Sequence, residues 1–451
     1  MKKSFSVYLF ASLLALLPLC AMAEGSAANS STANLPKTNL PMHLTLEDAI
    51  TYSLQNSRSL KSASLDLETK KDAAAHKLNF LLPDVKAGAT LNRTTKVSSS
   101  VPGYDVKERD HWSLMGTVSA SMNLNLSVIQ QMKQTQAEYE AGRISWEQTV
   151  KQNKRDITKI FYSLLLQQIT LDNDRQALAN AKERSKQAER NYLNGLSPKV
   201  EVLQSQVSCK NMEVALQKSE LALNEQFQQF AYLLGIPVGT QIVLDGSMTD
   251  RITQINEAQI RKLISGTSSE VSLLQKNLEA YNAQIKANNL GSFTPTLSLN
   301  YGFKPMNSGF YDMGKSDSWR DTGSVSATLT WDITNMLPFS ENRLANKKLK
   351  RQKEKTQLAI ADQQEKNNMD VSKILDEMWN AKTSMDANKE NIALARESYQ
   401  LTYESYSNGG TDYQALRDAQ DELNKALLAE QSNYYTFQAG LADLEYMFGS
   451  L

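Results

Sequence analysis

The stretch Asn191-Tyr-Leu-Asn-Gly-Leu-Ser-Pro-Lys-Val-Glu-Val-Leu-Gln-Ser-Gln206 sets a Gly and a Pro between two long runs that otherwise read as helix. Gly ends helices by taking the left-handed conformation, and Pro is tolerated at a helix start, so the pair predicts a tight reversal between consecutive helices. The pattern returns at Ser405-Tyr-Ser-Asn-Gly-Gly-Thr-Asp-Tyr-Gln-Ala-Leu-Arg-Asp-Ala-Gln420. A shift of 214 positions lays Tyr192 on Tyr406, Asn194 on Asn408, Gly195 on Gly409 and Gln206 on Gln420.

The flanks repeat as well. Val118 to Leu126 (VSASMNLNL) echoes Val325 to Ile333 (VSATLTWDI) at a shift of 207, and Leu82-Pro83-Asp84-Val85 has a counterpart in Phe293-Thr294-Pro295-Thr296-Leu297. Three echoes in one order at nearly constant spacing imply an internal duplication. Each copy then reads as helix, strand, loop, strand, long helix, tight turn, long helix.

The expected first repeat covers residues 44–252, with strands at 84–93 and 112–126 and long helices at 128–192 and 199–235. The second covers 253–451, with strands at 295–304 and 319–333 and long helices at 341–406 and 412–448. A shorter helix opens each repeat, from Leu46 to about Asn79 behind a Thr45 N-cap and from about Glu257 to Asn289.

The strands carry the clearest periodicity. Leu114, Gly116, Val118, Ala120, Met122, Leu124 and Leu126 alternate with mostly small polar residues, and so do Val85 to Leu91, Leu297 to Phe303 and Val325 to Ile333. Period two means one oily face and one wet face. Each run is close to the length a tilted strand needs to cross a bilayer, and Trp112, Trp319 and Trp331 on the oily side suit an aromatic girdle. A soluble half-buried sheet has the same period, but its wet face is rarely so uniformly small and polar. The loops Thr94 to Asp110 and Lys304 to Ser318 are rich in Gly, Ser, Asp and Lys, as hairpin tips in water would be.

Between Ser127 and Asn191 almost nothing interrupts a helix roughly 100 Å long, several times any bilayer thickness. Ile157, Ile160, Phe161, Leu164, Leu165 and Ile169 recur at helical steps, beside the charged Lys182, Glu183, Arg184 and Lys186. That is a packing stripe with a solvated remainder. Four strands cannot close a barrel, and open edges in lipid leave backbone groups unpaired, so the chain is expected to associate. Three copies supply twelve strands, an even number within the known range.

The N-terminus fits export. Lys2 and Lys3 precede an apolar run to Leu19, and Ala21-Met22-Ala23 forms a cleavage site, so residues 1–23 read as a signal peptide and 24–43 as a flexible segment. Cys20 raises lipid anchoring as an alternative, but the bulky Leu19 before it favours cleavage after Ala23. The mature chain then keeps only Cys209, which leaves no intrachain disulfide. Its 49 basic residues less Lys2 and Lys3 stand against 49 acidic ones, a balance with no electrostatic footprint for nucleic acid.

No Gly-rich phosphate loop or nucleophile motif is visible, so neither an enzyme nor a cofactor site is expected. His43, His76 and His111 are isolated, which argues against a metal site. A secreted periplasmic coiled-coil scaffold is the alternative class: it accounts for the helices and the charge but not for the strands.

The ordered set of features resembles the TolC family of outer-membrane efflux channels: the duplicated plan, Pro83 and Pro295 opening a strand in each copy, and the Tyr-x-x-Gly turns. The resemblance implies a mostly α protomer contributing to a trimeric 12-stranded β-barrel in outer-membrane lipid, continued by a long α-helical barrel across the periplasm. It further implies a passive exit tunnel that meets a periplasmic adaptor protein and an inner-membrane pump of RND, ABC or MFS type. The adaptor contact would fall at the tips Asn194, Gly195, Leu196 and Asn408, Gly409, Gly410, Thr411. Gly195 and Gly409 match the family pattern, whereas Asn replaces its Val in both tips and Thr411 replaces an Arg. The resemblance places the tunnel constriction at Glu201, Asp418 and Tyr406. Asp418 repeated about a threefold axis would favour cations, whereas read from the residues alone Glu201 and Asp418 are ordinary solvated carboxylates.

Overall fold

A computed structural model describes residues 41–95, 111–195, 197–248, 268–308 and 314–449. The expected signal peptide with Cys20, residues 24–40, most of the first hairpin loop, Leu196, the proposed repeat boundary near 252 and the start of the second opening helix lie outside these residues.

In chain order the first elements are β1 (Met42–Leu44), α1 (Leu46–Asn56), α2 (Arg58–Ala75), β2 (Asp84–Arg93), β3 (Trp112–Leu124), α3 (Ser127–Leu193), α4 (Lys199–Leu234) and β4 (Ile242–Leu244). Then come α5 (Ser269–Phe293), β5 (Thr296–Phe303), β6 (Pro305–Ser308), β7 (Arg320–Asp321), β8 (Ser324–Thr330), α6 (Glu341–Ser407) and α7 (Tyr413–Phe448). The chain forms two compact units, one built from His76–Met132 and Gln284–Lys348, the other from Asn39–Ala75, Lys133–Ala283 and Leu349–Leu451.

The first unit is a sheet in the order β7-β6-β3-β5-β8, with β2 on the other side of β3. Its register lines up the period-two pattern across strands. Val85 lies opposite Ala120, Ala120 opposite Tyr301 and Tyr301 opposite Val325, while Leu124, Leu297 and Leu329 form a second apolar row. The alternate rows, such as Ser121, Asn300 and Ser326, are polar. Side chains of directly opposed residues share a face, so β2, β3, β5 and β8 make the sheet oily on one side and wet on the other, whereas β6 sets Asn307 opposite Leu114 and Met306 opposite Met115.

The strand expected at 319–333 is not continuous. Asp321 Oδ1 accepts from the backbone N–H of Lys304 and of Gly323, displacing ladder bonds, and a Cβ at Gly323 would collide with the Gly302 carbonyl. The strand therefore splits at Thr322-Gly323. It also stops at Thr330, because Asp332 turns the chain into a short 3-10 segment, Ile333–Met336, by accepting from Thr334 N–H at 3.0 Å. Trp331 and Ile333 are thus past the strand end. Likewise β3 ends at Leu124, where Asn125 Oδ1 accepts from Ser127 N–H at 2.8 Å and starts α3.

The two long helices of each repeat share one set of lengths, and most of each lies in the second unit. α3 and α6 each contain 67 residues, and α4 and α7 each contain 36. All four boundaries are displaced by 214 positions: Ser127 to Glu341, Leu193 to Ser407, Lys199 to Tyr413 and Leu234 to Phe448. The stripe on α3 makes the main core, in which Ile157, Phe161, Leu164 and Leu165 pack with Phe230 and Leu234 of α4, Leu46 and Ala49 of α1, and Leu44 and Leu244 of the small strands. β1 and β4 pair in parallel, so residues 42–43, expected to be flexible, belong to a strand. His43 there contacts the Asp245 carboxylate at 3.0 Å.

The opening helix expected from Leu46 to Asn79 is broken. Thr45 caps α1 through a reciprocal capping box with Asp48. Ser57 then leaves the helical conformation, with ψ 123°. Gly235, at φ +75°, lies against the Asn56 carbonyl so closely that a Cβ would collide with it. The buried Ser53 hydroxyl beside the break donates to Asn153 Oδ1 at 2.7 Å.

Candidate functional site: the two helical hairpin tips

At the second tip, Gly409 N–H donates to Tyr406 O at 3.0 Å and Gly410 N–H to Ser405 O at 2.8 Å. These are the paired bonds of a Schellman helix end, which needs a left-handed residue. Gly409 supplies it with φ +76°. At the first tip, Gly195 N–H donates to Tyr192 O at 3.0 Å and Gly195 takes φ +71°.

The restarts differ between the copies. Asp412 caps α7 by accepting from Ala415 N–H at 2.8 Å, whereas Pro198 precedes α4 with no side-chain cap. Thr411 is half-buried, and Asn194 and Asn408 are exposed in the turns.

Of the three residues assigned to the constriction, Glu201 and Tyr406 meet. Tyr406 Oη, in the last turn of α6, donates to Glu201 Oε1, in the first turn of α4, at 2.9 Å. The Tyr406 ring is buried beside Tyr413 and Leu416. Burial first, and then the hydrogen bond to the Glu201 carboxylate, hold its hydroxyl well above the ordinary tyrosine pKa. Asp418 does not join them: it is exposed and accepts from Gln414 Nε2 at 2.8 Å, one turn earlier on α7.

Arg184, read from the sequence as part of a solvated charged run, is only 7% exposed. Its Nη1 donates to Gln420 Oε1 at 3.1 Å, and its Nε has no partner among the described residues. Gln420 is itself buried and donates to Asn424 Oδ1 at 3.2 Å. Sequence patterning missed this pair because Arg184 sits among Lys182, Glu183 and Lys186, and only the last three reach solvent. Cys209, nearby on α4, is a buried free thiol whose pKa burial pushes up, which makes it a poor nucleophile.

The expected girdle residues lie around the sheet. Trp112 begins β3 and stacks under the Arg93 guanidinium at 5.7 Å, Trp319 is half-buried just before β7, and Trp331 is exposed just after β8. Among the described residues no helix is long and apolar enough to cross a membrane, and no cluster of His, Cys, Asp and Glu could hold a metal.

A duplicated chain with an amphipathic sheet and two long helical hairpins defines a class of channel protein. The sequence matches the outer membrane efflux protein family over residues 49–236 and 266–450, and the chain belongs to that family. It is an outer-membrane channel of efflux systems that extends into the periplasm, and its family and fold are those of channel proteins, not enzymes. No curated protein sequence matches it.

Among solved structures, a membrane protein from Pseudomonas aeruginosa is similar at TM-score 0.76 and 18% identity, with 90% of each chain covered. The Campylobacter jejuni CmeC outer membrane channel matches at TM-score 0.76 and 15% identity, over 90% of this chain and 85% of that one. The open state of the Neisseria gonorrhoeae MtrE outer membrane channel matches at 0.71 and 17%, over 90% and 89%.

Proposed function

We propose that three copies of this chain close a 12-stranded barrel in the outer membrane and a helical barrel in the periplasm, giving cargo a passive tunnel gated at the hairpin tips. The observation that carries the reading is the sheet, in which β2, β3, β5 and β8 put apolar residues on one face and polar ones on the other, and β2 and β8 pair on one side only among the described residues. Edges left open in lipid cost several kcal/mol per backbone group, and joining β2 of one copy to β8 of the next removes them. The exposed row Val200, Leu203, Val207, Val214 and Leu221 on α4 supports the same association, since its heptad-like spacing suits a neighbouring helix.

In this reading the turns at Asn194 to Leu196 and Asn408 to Thr411 receive the periplasmic adaptor, which links the channel to an inner-membrane pump. The Glu201 to Tyr406 bond holds the hairpins in a closed arrangement, and Asp418 forms a carboxylate ring on the threefold axis. Purified protein in a planar bilayer should be trimeric and give small, cation-selective conductance steps. Asp418→Ala should raise the conductance or weaken the cation preference. A monomer without conductance refutes the channel, and unchanged conductance and selectivity return Asp418 to a solvated helix face.

A further inference from the structure

The two repeats differ where a strand gives way to its long helix. In the first copy only Asn125 and Leu126 join β3 to α3, whereas the second copy places the ten residues Trp331 to Ser340 between β8 and α6. The added segment carries four exposed apolar side chains. Phe339 is 99% exposed, and Trp331, Ile333 and Leu337 are each more than half exposed.

Its own polar groups give the segment a defined shape. Asp332 binds Thr334 N–H and the Asn335 amide, Ser340 Oγ donates to Asn335 O at 3.0 Å, and Arg343 N–H donates to Ser340 Oγ at 3.3 Å. Immediately beyond, Arg343, Lys347 and Lys348 stand exposed in the first two turns of α6 against a single acid, Glu341. Arg343 is steadied by the Phe293 ring at 5.7 Å and the Met336 carbonyl at 3.4 Å. At the matching positions of the first copy, Ile129 stands for Arg343 and Gln134 for Lys348, while Lys133 matches Lys347.

We infer that this junction is a phospholipid-binding surface: Trp331, Ile333, Leu337 and Phe339 enter the acyl boundary of the periplasmic leaflet, and Arg343, Lys347 and Lys348 hold anionic headgroups. Two arguments select lipid as the occupant. The apolar segment continues directly from the oily face of β8, where Val325 and Leu329 are exposed, and basic residues one or two helical turns beyond an apolar anchor are placed to meet phosphate groups at the interface. The inference rests on the sheet being the membrane-embedded part, and its test separates the two.

In a Cys209→Ser background, nitroxide labels at Phe339→Cys, Val325→Cys and Lys389→Cys would be compared in vesicles of phosphatidylethanolamine and phosphatidylglycerol. Collision with oxygen reports lipid, and collision with a water-soluble nickel chelate reports water. The labels at 325 and 339 should both favour oxygen and the label at 389 nickel. A label at 339 that behaves like 389, or one shielded from both reagents by protein, overturns the inference while an oxygen-accessible 325 keeps the membrane reading intact. Nickel access at 325 overturns both.

Preference for spin-labelled phosphatidylglycerol over phosphatidylcholine should fall by about fivefold for each lysine removed in Lys347→Gln and Lys348→Gln. Unchanged preference removes the headgroup half of the inference.

Discussion

The Tyr406 hydroxyl donates to Glu201 Oε1 at 2.9 Å, so the end of the third long helix is fastened to the start of the second by a bond that crosses the two repeats. A hydrogen bond to a carboxylate contributes about 1.5–3 kcal/mol. Tyr406→Phe keeps the buried ring against Tyr413 and Leu416 and removes only that bond. The expected outcome is a channel that opens more often or conducts more in planar bilayers, with stability lowered by no more than the worth of that bond. Conductance equal to wild type would mean that the bond does not hold the gate.

The same contact sets a pH dependence. Burial and the Glu201 carboxylate raise the Tyr406 pKa above the ordinary 10.0, while the nearby Arg184 acts weakly in the opposite direction. A raised folded pKa means that the stabilisation is complete below the ordinary tyrosine value and is lost as pH climbs through the folded one. The tips should therefore stay fastened across the neutral and mildly alkaline range. Burial also raises Tyr435 and Tyr446, so in an alkaline titration followed by tyrosinate absorbance wild type should show one more late-ionising tyrosine than Tyr406→Phe; identical titration curves would contradict the assignment.

The glycines divide into two kinds, and substitution should separate them. Gly195 and Gly409 have positive φ, yet a Cβ at either would meet nothing within 4 Å. Their replacement by Ala should cost only the left-handed backbone penalty, about 1–2 kcal/mol, and by Asn less. Gly235 has the same kind of φ but lies against the Asn56 backbone. Gly235→Ala should therefore add overpacking of about 1–3 kcal/mol to the backbone penalty. Unfolding midpoints of the purified protein should fall in the order Gly409→Asn, Gly409→Ala, Gly235→Ala, and an equal loss for the two Ala variants would refute the collision.

Much of this architecture is written in patterns that survive without tertiary information. The alternation in Val85 to Leu91 and Leu114 to Leu124 reappears as apolar residues directly opposite one another, because a one-residue slip would turn every side chain to the wrong face. The stripe from Ile157 to Leu165 reappears as core for the same reason of period. What escaped is what local pattern does not encode. Ser57 breaks a helix that its neighbours would continue, and the chain beside it is Gly235, far away in sequence. Met42–Leu44 is too short to show a period and is a strand only because Ile242–Leu244 pairs with it. Asp332 looked like a polar position of a strand but caps a turn. At the tips, the meeting of Glu201 with Tyr406 depends on how two hairpins pack, and nothing local to either residue distinguishes Glu201 from the exposed Asp418.

Arg184 offers the sharpest remaining test of that packing. Its buried guanidinium has Gln420 as its one hydrogen-bond partner among the described residues, and no carboxylate there forms an ion pair with it. A buried guanidinium is costly wherever its donors go unmet, and a hydrogen bond between a charged and a neutral group contributes about 1.5–3 kcal/mol. Gln420→Leu should therefore destabilise the protein strongly by stranding the guanidinium. Adding Arg184→Leu to it removes the stranded charge as well, so the double variant should unfold at a higher temperature than Gln420→Leu alone. In a double-mutant cycle the coupling should be favourable by about 1 kcal/mol or more. Simple additivity of the two substitutions would show that Arg184 reaches solvent or another anion in the assembled protein, and that Gln420 is not what holds it.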